Sequence, residues 1–422
     1  MKAPSANLLS IGSLFVFFAA PAPAADWPQW RGPQRTGVSV ETGLFQQWPT
    51  NGPKLLWQVR DIGAGYSTPA VAGNAIYLLS NEGLENEFVQ ALSVQDGRRL
   101  WQTRLGNVGN PKQQPNFPAA RSTPTVDGEC LYALSSDGDL ACLECGAGKV
   151  RWKKSLRADF GGKPGDWAYA ESPLVDGDKL VTTPGGAEAT VVALNKKTGE
   201  VLWKTALPDA DDAAYSSALV VEAAGVKQYV QMLQKGLVGL DARSGKLLWR
   251  YTRTVSSRRA NIPSPLARGD TIFSAGAGTG AGLVRLKPTA GGVEAEQVYF
   301  FPKLPTAIGG VILSGDCLYG ATDQTLVCAD FASGAIKWSE RALGPASLCC
   351  ADGRLYLHGE NGDVALVEPS AEAYHEKGRF TPPDRPKRSN AMEKAWAYPV
   401  VSGGCLYVRE QQMLWCYDIK AL

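Results

Sequence analysis

Short apolar runs alternate with turns rich in Gly, Asp and Asn along almost the whole chain. Runs of this length, rich in Val, Ile, Leu and Tyr and bounded by turn residues, predict β-strands rather than helices. One stretch shows the unit. Val191, Val192, Ala193 and Leu194 form a run, Thr198 and Gly199 supply the turn, and Val201, Leu202 and Trp203 begin the return strand. Glycine takes the positive-φ turn position without steric cost. The same arrangement recurs at Ala91 to Trp101, Cys142 to Trp152, Gly239 to Trp249 and Cys328 to Trp338. Each has a glycine four residues before the tryptophan: Gly97, Gly148, Gly199, Gly245 and Gly334.

Three strands precede each such tryptophan. The first carries a Ser-Pro-like signature, as in Ser67-Thr68-Pro69, Ser122-Thr123-Pro124, Ser172-Pro173 and Ser264-Pro265. A Gly-containing turn follows, for example Asp127-Gly128 or Asp352-Gly353, and then an apolar-aromatic strand such as Leu131-Tyr132 or Leu406-Tyr407. Outer strands are marked by Trp57, Trp101, Trp152, Trp203, Trp249 and Trp338, with Tyr299 and Phe380 as degenerate members. The early tryptophans are spaced by 44, 51, 51 and 46 residues. Four short strands per repeat at this period predict an all-β, eight-bladed β-propeller of four-stranded antiparallel blades. The tryptophans are expected to dock between blades as structural residues. Leu55 to Val59 lacks the three strands before it, and the strands after Tyr398 lack a fourth. Both ends should therefore share one blade, which closes the ring and leaves no open edge. On this reading residues 55–422 form the propeller and residues 26–54 an irregular segment in which Trp27 and Trp30 plug one end of the body.

Residues 1–25 read differently. A charged start at Lys2, an apolar run from Leu8 to Ala20 and a small-residue stretch from Ala22 to Ala25 have the form of a secretory signal peptide. The mature protein is then expected to be exported, periplasmic or extracellular, soluble and monomeric, with no transmembrane segment. No cysteine follows the cleavage region to take a lipid. Lys+Arg of 43 against Asp+Glu of 41 gives a net charge of +2; with no strong field, nucleic acid is set aside as a partner.

Export gives the nine cysteines a redox question. Cys317 with Cys328, and Cys405 with Cys416, fall directly opposite if Thr322-Asp323 and Glu410-Gln411 are two-residue hairpin turns. Cys130 and Cys142 hold the equivalent repeat positions with one extra residue. Cross-strand disulfides and small, reduced core residues are both open, and Ala75 with Ala91 at the matching place favours the latter. Cys349 and Cys350 lie in a strand, where successive side chains face opposite ways, which opposes a vicinal disulfide. With two histidines in the chain, neither a Ser-His-Asp triad nor a His-rich metal site is expected.

In an up-and-down blade the long connections collect on one face, and function in a propeller sits on such loops. The side chains offered there are Arg121, Asp166, Trp167, Tyr169, Glu171, Arg258, Arg259, Asn261, Lys394 and Trp396, with Tyr398 beside them. Arginines interleaved with aromatics suit a peptide segment, a glycan or a planar anion.

These repeats resemble the pyrroloquinoline quinone (PQQ)-type repeat, with its Ala-Leu-Asp run, Thr-Gly turn and docking Trp. The opening Trp27-Pro28-Gln29-Trp30-Arg31-Gly32-Pro33 is similar to that of an exported bacterial group of such propellers. The resemblance implies one of two branches. Quinoprotein alcohol dehydrogenases hold PQQ and calcium in the channel beneath a vicinal Cys pair; BamB-like propellers bind no cofactor and act as scaffolds. The dehydrogenases' catalytic Asp and calcium ligands have no counterpart by motif here, and Cys349-Cys350 falls late in the chain rather than in an early loop. Cys142 and Cys145 are followed by Gly146, so no haem-attachment motif exists. The expectation is a noncatalytic exported scaffold that takes a protein or glycan partner on its long-loop face, with no cofactor and no metal. A PQQ- and calcium-dependent dehydrogenase and a polysaccharide-binding module are the alternatives.

Overall fold

The computed structural model describes residue 1 and residues 25–112, 119–388 and 393–421. The signal-peptide reading over residues 1–25 thus falls almost wholly outside the described residues. The remainder forms eight four-stranded antiparallel sheets, seven of them in simple sequence order. Blade 1 begins at Ala70–Ala72, blade 2 at Thr125–Asp127, blade 3 at Leu174–Asp176 and blade 4 at Leu219–Ala223. Blades 5 to 7 begin at Leu266–Arg268, Val311–Ser314 and Ala346–Ala351. Blade 8 joins Val400–Ser402, Cys405–Glu410 and Met413–Asp418 to the early strand Lys54–Val59. The chain's two ends therefore close the ring, with Leu55 opposite Tyr417 and Trp57 opposite Cys416.

The recurring Gly-Trp spacing has a physical cause that spans two blades. Trp101 of blade 1 donates its Nε1–H to the Cys145 carbonyl of blade 2 at 2.8 Å. Trp57, Trp152 and Trp338 do the same to Val94, Lys196 and Ser370 of the following blades. The ring then lies over the next blade's turn glycine. At Gly148, whose φ is 66°, a Cβ would stand 2.4 Å from the Trp101 ring. Glycine is needed there for the turn and for the contact. Ala91, Cys142, Ala193, Gly239 and Cys328 stand opposite their own blades' tryptophans, so small side chains leave room for the indoles. Trp249 differs by bonding Gln228 Oε1 within its own blade, at 2.6 Å. In blade 5 Tyr299 substitutes, its hydroxyl donating to Phe331 O of blade 6.

Blade 7 corrects the reading of Phe380. The residue at the tryptophan's register is Gly378, opposite Leu366, and Phe380 lies two residues beyond. The ring at Gly378 comes from outside the blade. A Cβ there would be 2.8 Å from Trp48 Cβ, and Trp48 N donates to Lys377 O.

Two further readings change. The hairpin at 322–325 is longer than two residues, and that at Glu410 turns one residue later. Cys317 is therefore opposite Asp330, Cys328 opposite Tyr319, Cys405 opposite Asp418 and Cys416 opposite Tyr407. Cys130 and Cys142 are offset in the same way. The members of each pair are diagonal neighbours rather than facing residues, and all nine cysteines are free thiols in this structure. Cys349 and Cys350 pack into different apolar clusters on opposite faces of their strand.

The Ser-Pro signatures form a belt of hydrogen bonds around the channel. Thr123 N donates to Ser172 Oγ, Ser172 N to Ser217 Oγ, Ser217 N to Ser264 Oγ, and Tyr398 N to Thr68 Oγ1. The segment before the propeller fills the channel inside this belt and touches every blade. Trp27 pairs with Val71 of blade 1, and Pro28 O accepts from Val126 N of blade 2. Arg35 donates to Ser172 and Pro173 carbonyls at blade 3 and to Ala218 O at blade 4. Trp30 Nε1 reaches Ser264 Oγ at blade 5, and Arg31 reaches Val311 O of blade 6. Gly37 and Ser39 bracket Cys350 of blade 7, while Glu41 accepts Gly403 and Gly404 amides of blade 8.

Candidate functional site

Above this filled section the channel opens into a cup of about 560 Å³, within the range that holds a small ligand. Its inner wall is built from residues that immediately precede the innermost strands, among them Thr68, Ala170, Ile262 and Ile308. Trp30 supplies an indole from the N-terminal segment, and Arg31, Arg35 and Trp27 are buried in that same segment. Three aromatic pairs shape the cup. Trp30 meets Tyr398 edge-on at 4.6 Å between ring centroids, Tyr66 meets Trp396 at 4.9 Å and Trp167 meets Tyr215 at 5.7 Å. Such tilted and edge-on contacts hold rings in fixed orientations.

The tyrosine hydroxyls are largely committed. Tyr398 Oη donates to Ile308 O at 2.5 Å, Tyr215 Oη accepts Trp167 N at 3.0 Å, and Tyr66 interacts with Gln411. Charge enters through Arg121, Lys394 and Glu360. The Arg121 guanidinium lies 5.5 Å from the Tyr66 ring centroid and donates to Ala119 O. Burial lowers its pKa, with Tyr66 and Glu87 acting the other way. Glu360 accepts Trp396 Nε1 at 3.1 Å, and burial raises its pKa. Behind Arg121, Glu87 is fully buried, with its carboxylate taking Ser136 N and Ser136 Oγ. Burial pushes its pKa to about 7 against those hydrogen bonds.

Of the residues named from sequence, Arg121, Trp167, Lys394 and Trp396 line the cup. Asp166, Arg258 and Arg259 are exposed side chains nearby, with Arg259 paired to Asp166 at 3.1 Å and Arg258 to Asp323 at 3.2 Å. Tyr169, Glu171 and Asn261 are corrected: each is about 2% exposed or less and is consumed by the fold. Tyr169 Oη bonds Pro184 O, Glu171 accepts from Thr182, Thr183 and Gln231, and Asn261 bridges Leu233 O and Ser256 N. Polar residues just before an inner strand can point into the belt rather than the opening. Sequence reasoning missed Tyr66, Tyr215 and Glu360. Tyr66 and Tyr215 stand just before the innermost strands of their blades and Glu360 just after the second strand of blade 7, so a place at a strand end was the available signal.

The donor set does not fit a calcium-quinone pair. Among the described residues Glu360 is the one carboxylate lining the cup, and it is engaged by Trp396. Among the described residues no group of three or more His, Cys, Asp or Glu is placed to hold a metal ion. The adjacent cysteines sit inside blade 7, not over the opening.

Fold and repeat together define a PQQ-type repeat propeller. The family profile described as outer membrane protein assembly factor BamB matches residues 34–172 and 166–377, and the chain belongs to that family. It is 30% identical to BamB of Salmonella typhimurium over 139 residues, 33% of this chain and 31% of that protein. It is 23% identical to BamB of Shewanella oneidensis over 223 residues, 52% and 51% of the two chains. The chain thus matches about a third to a half of these relatives' length. The crystal structure of BamB from Moraxella catarrhalis superposes with a TM-score of 0.61 at 14% identity, covering 87% of this chain and 98% of that one. A quinohemoprotein alcohol dehydrogenase from Pseudomonas putida superposes at 0.51 and 14% identity, covering 94% and 81%. At such identities the likeness is one of fold.

Proposed function

We propose that this protein is a noncatalytic, exported propeller of the cell envelope that holds a polypeptide partner on its long-loop face, centred on the aromatic cup, in the assembly of outer-membrane proteins. The observation that carries the reading is the cup: large oriented rings around a concavity at the mouth of a filled channel, with cations at its wall, suit an interface anchor. Family membership supports the assembly role, since the relatives bear the name of an outer-membrane assembly factor. No described helix is long and apolar enough to cross a membrane.

Two experiments test this. A photo-crosslinking amino acid at Trp167 in the native host should join the protein to a component or substrate of outer-membrane assembly. Cross-links confined to unrelated abundant proteins would overturn the assigned process. Adding PQQ and calcium to the purified protein should give neither saturable quinone absorbance nor alcohol-dependent dye reduction; either signal would overturn the noncatalytic reading.

A further inference from the structure

The cup has one mouth. Trp30, tied to Ser264, sits at its base, and Trp27, Arg31 and Arg35 are packed in the channel with their backbone and side chains bonded to the inner strands. These described residues stand across the channel below the cup. A chain entering the cup must stop in it, which favours a terminus over an internal segment. An internal loop would also carry two strands' worth of peptide groups into a space walled by rings, where buried amides lack partners. A sugar finds fewer open hydroxyls there, because Tyr398, Tyr215 and Tyr66 each already make a bond, to Ile308 O, Trp167 N and Gln411.

The charges choose between the two ends of a chain. Among the described residues that line the cup, Arg121 and Lys394 stand against one carboxylate, Glu360, whose Oε1 is taken by Trp396; Glu393 acts on Tyr66 from beyond the lining. An ammonium would meet two cations; a carboxylate would meet a guanidinium set beside the Tyr66 ring.

From this geometry we propose that the cup captures the carboxy-terminal residue of its partner, seating an apolar, preferably aromatic, side chain among Trp30, Tyr66, Trp167 and Trp396 and its α-carboxylate against Arg121. The inference rests on the long-loop face being the partner face and specifies what that face reads.

The probe is a fluorescein-labelled pentapeptide ending in phenylalanine, made with a free carboxylate and as the amide. Anisotropy with the full chain should show saturable binding of the acid and about tenfold or more weaker binding of the amide, the scale of one charge-assisted hydrogen bond. Arg121→Gln should weaken the acid by a similar factor and leave the amide unchanged, and Arg121→Lys should restore part of the loss. If the Arg121 variants melt early, Lys394→Gln and the acid-amide pair on the unaltered protein still decide. Equal binding of acid and amide would overturn the proposal, as would displacement of the peptide by a neutral oligosaccharide. N-acetylphenylalanine binding as tightly as the pentapeptide would replace a chain end with a free aromatic acid and equally overturn it. Failure here, with cross-links from Trp167 to assembly components intact, would leave the scaffold reading standing.

Discussion

The two halves of the channel are built from the same ring of inner strands and differ in what fills them. In one half the N-terminal segment donates or accepts a hydrogen bond at every blade, and Trp27, Arg31 and Arg35 are buried in it. In the other, the rings of Trp30, Tyr66, Trp167, Tyr215, Trp396 and Tyr398 stand around an open cup. The contrast teaches how one propeller separates stability from recognition. Hydrogen bonds to every blade and packing hold the filled half; the open half keeps apolar surface in water, a cost recovered only when something covers it.

Substitutions should break the two halves differently. The largest effect is expected for Arg35→Ala. It removes donors from carbonyls at blades 3 and 4 and leaves a buried gap, so a loss of about 3–5 kcal/mol should register as a large fall in melting temperature. Trp101→Ala, at a blade-to-blade dock outside the channel, should cost about 3 kcal/mol by denaturant titration. Trp167→Ala in the open half should cost about 1 kcal/mol or less while weakening partner capture; a melting loss equal to that of Arg35→Ala would erase the distinction between halves.

A pH series sharpens the comparison. Glu87 lies behind Arg121, and its folded pKa of about 7 is above the ordinary 4.5. The folded protein therefore binds that proton more tightly than the unfolded chain does. Stability from this group is greatest below pH 4.5 and falls as pH rises towards 7, by about 3 kcal/mol at most. Glu87→Gln should remove the fall, so its melting temperature should gain on the parent protein steadily across that interval. A constant difference would show that the carboxyl is not protonated in the fold.

Much of the ring was legible because its signal is local. A glycine four residues before a tryptophan encodes a turn and a dock at once, and the ends' missing strands name their shared blade. Other features depend on partners distant in sequence. Nothing local in their Pro- and Gly-rich stretch names partners for Arg31 and Arg35, yet they bond carbonyls contributed by blades 3, 4 and 6. The dock at Gly378 is invisible in its own repeat because its indole, Trp48, comes from before the first blade. The cysteine registers shifted through turn length at 322–325 and through turn position at Glu410. At the cup, arginine and tryptophan marked the long-loop face, whereas Glu171 and Asn261 shared those loops but turned inward.

The segment that occupies the channel also sets an order of events. Its residues leave the ribosome before any blade exists, yet Ala25 O accepts Ser402 Oγ across 377 positions of sequence and Glu41 holds the Gly403 turn. What is synthesised first can be seated only after the final repeat has been made. Contacts of such long range slow folding, so the nascent chain should remain an open arc, and the last hairpin to arrive should convert it to the native state in a single late step.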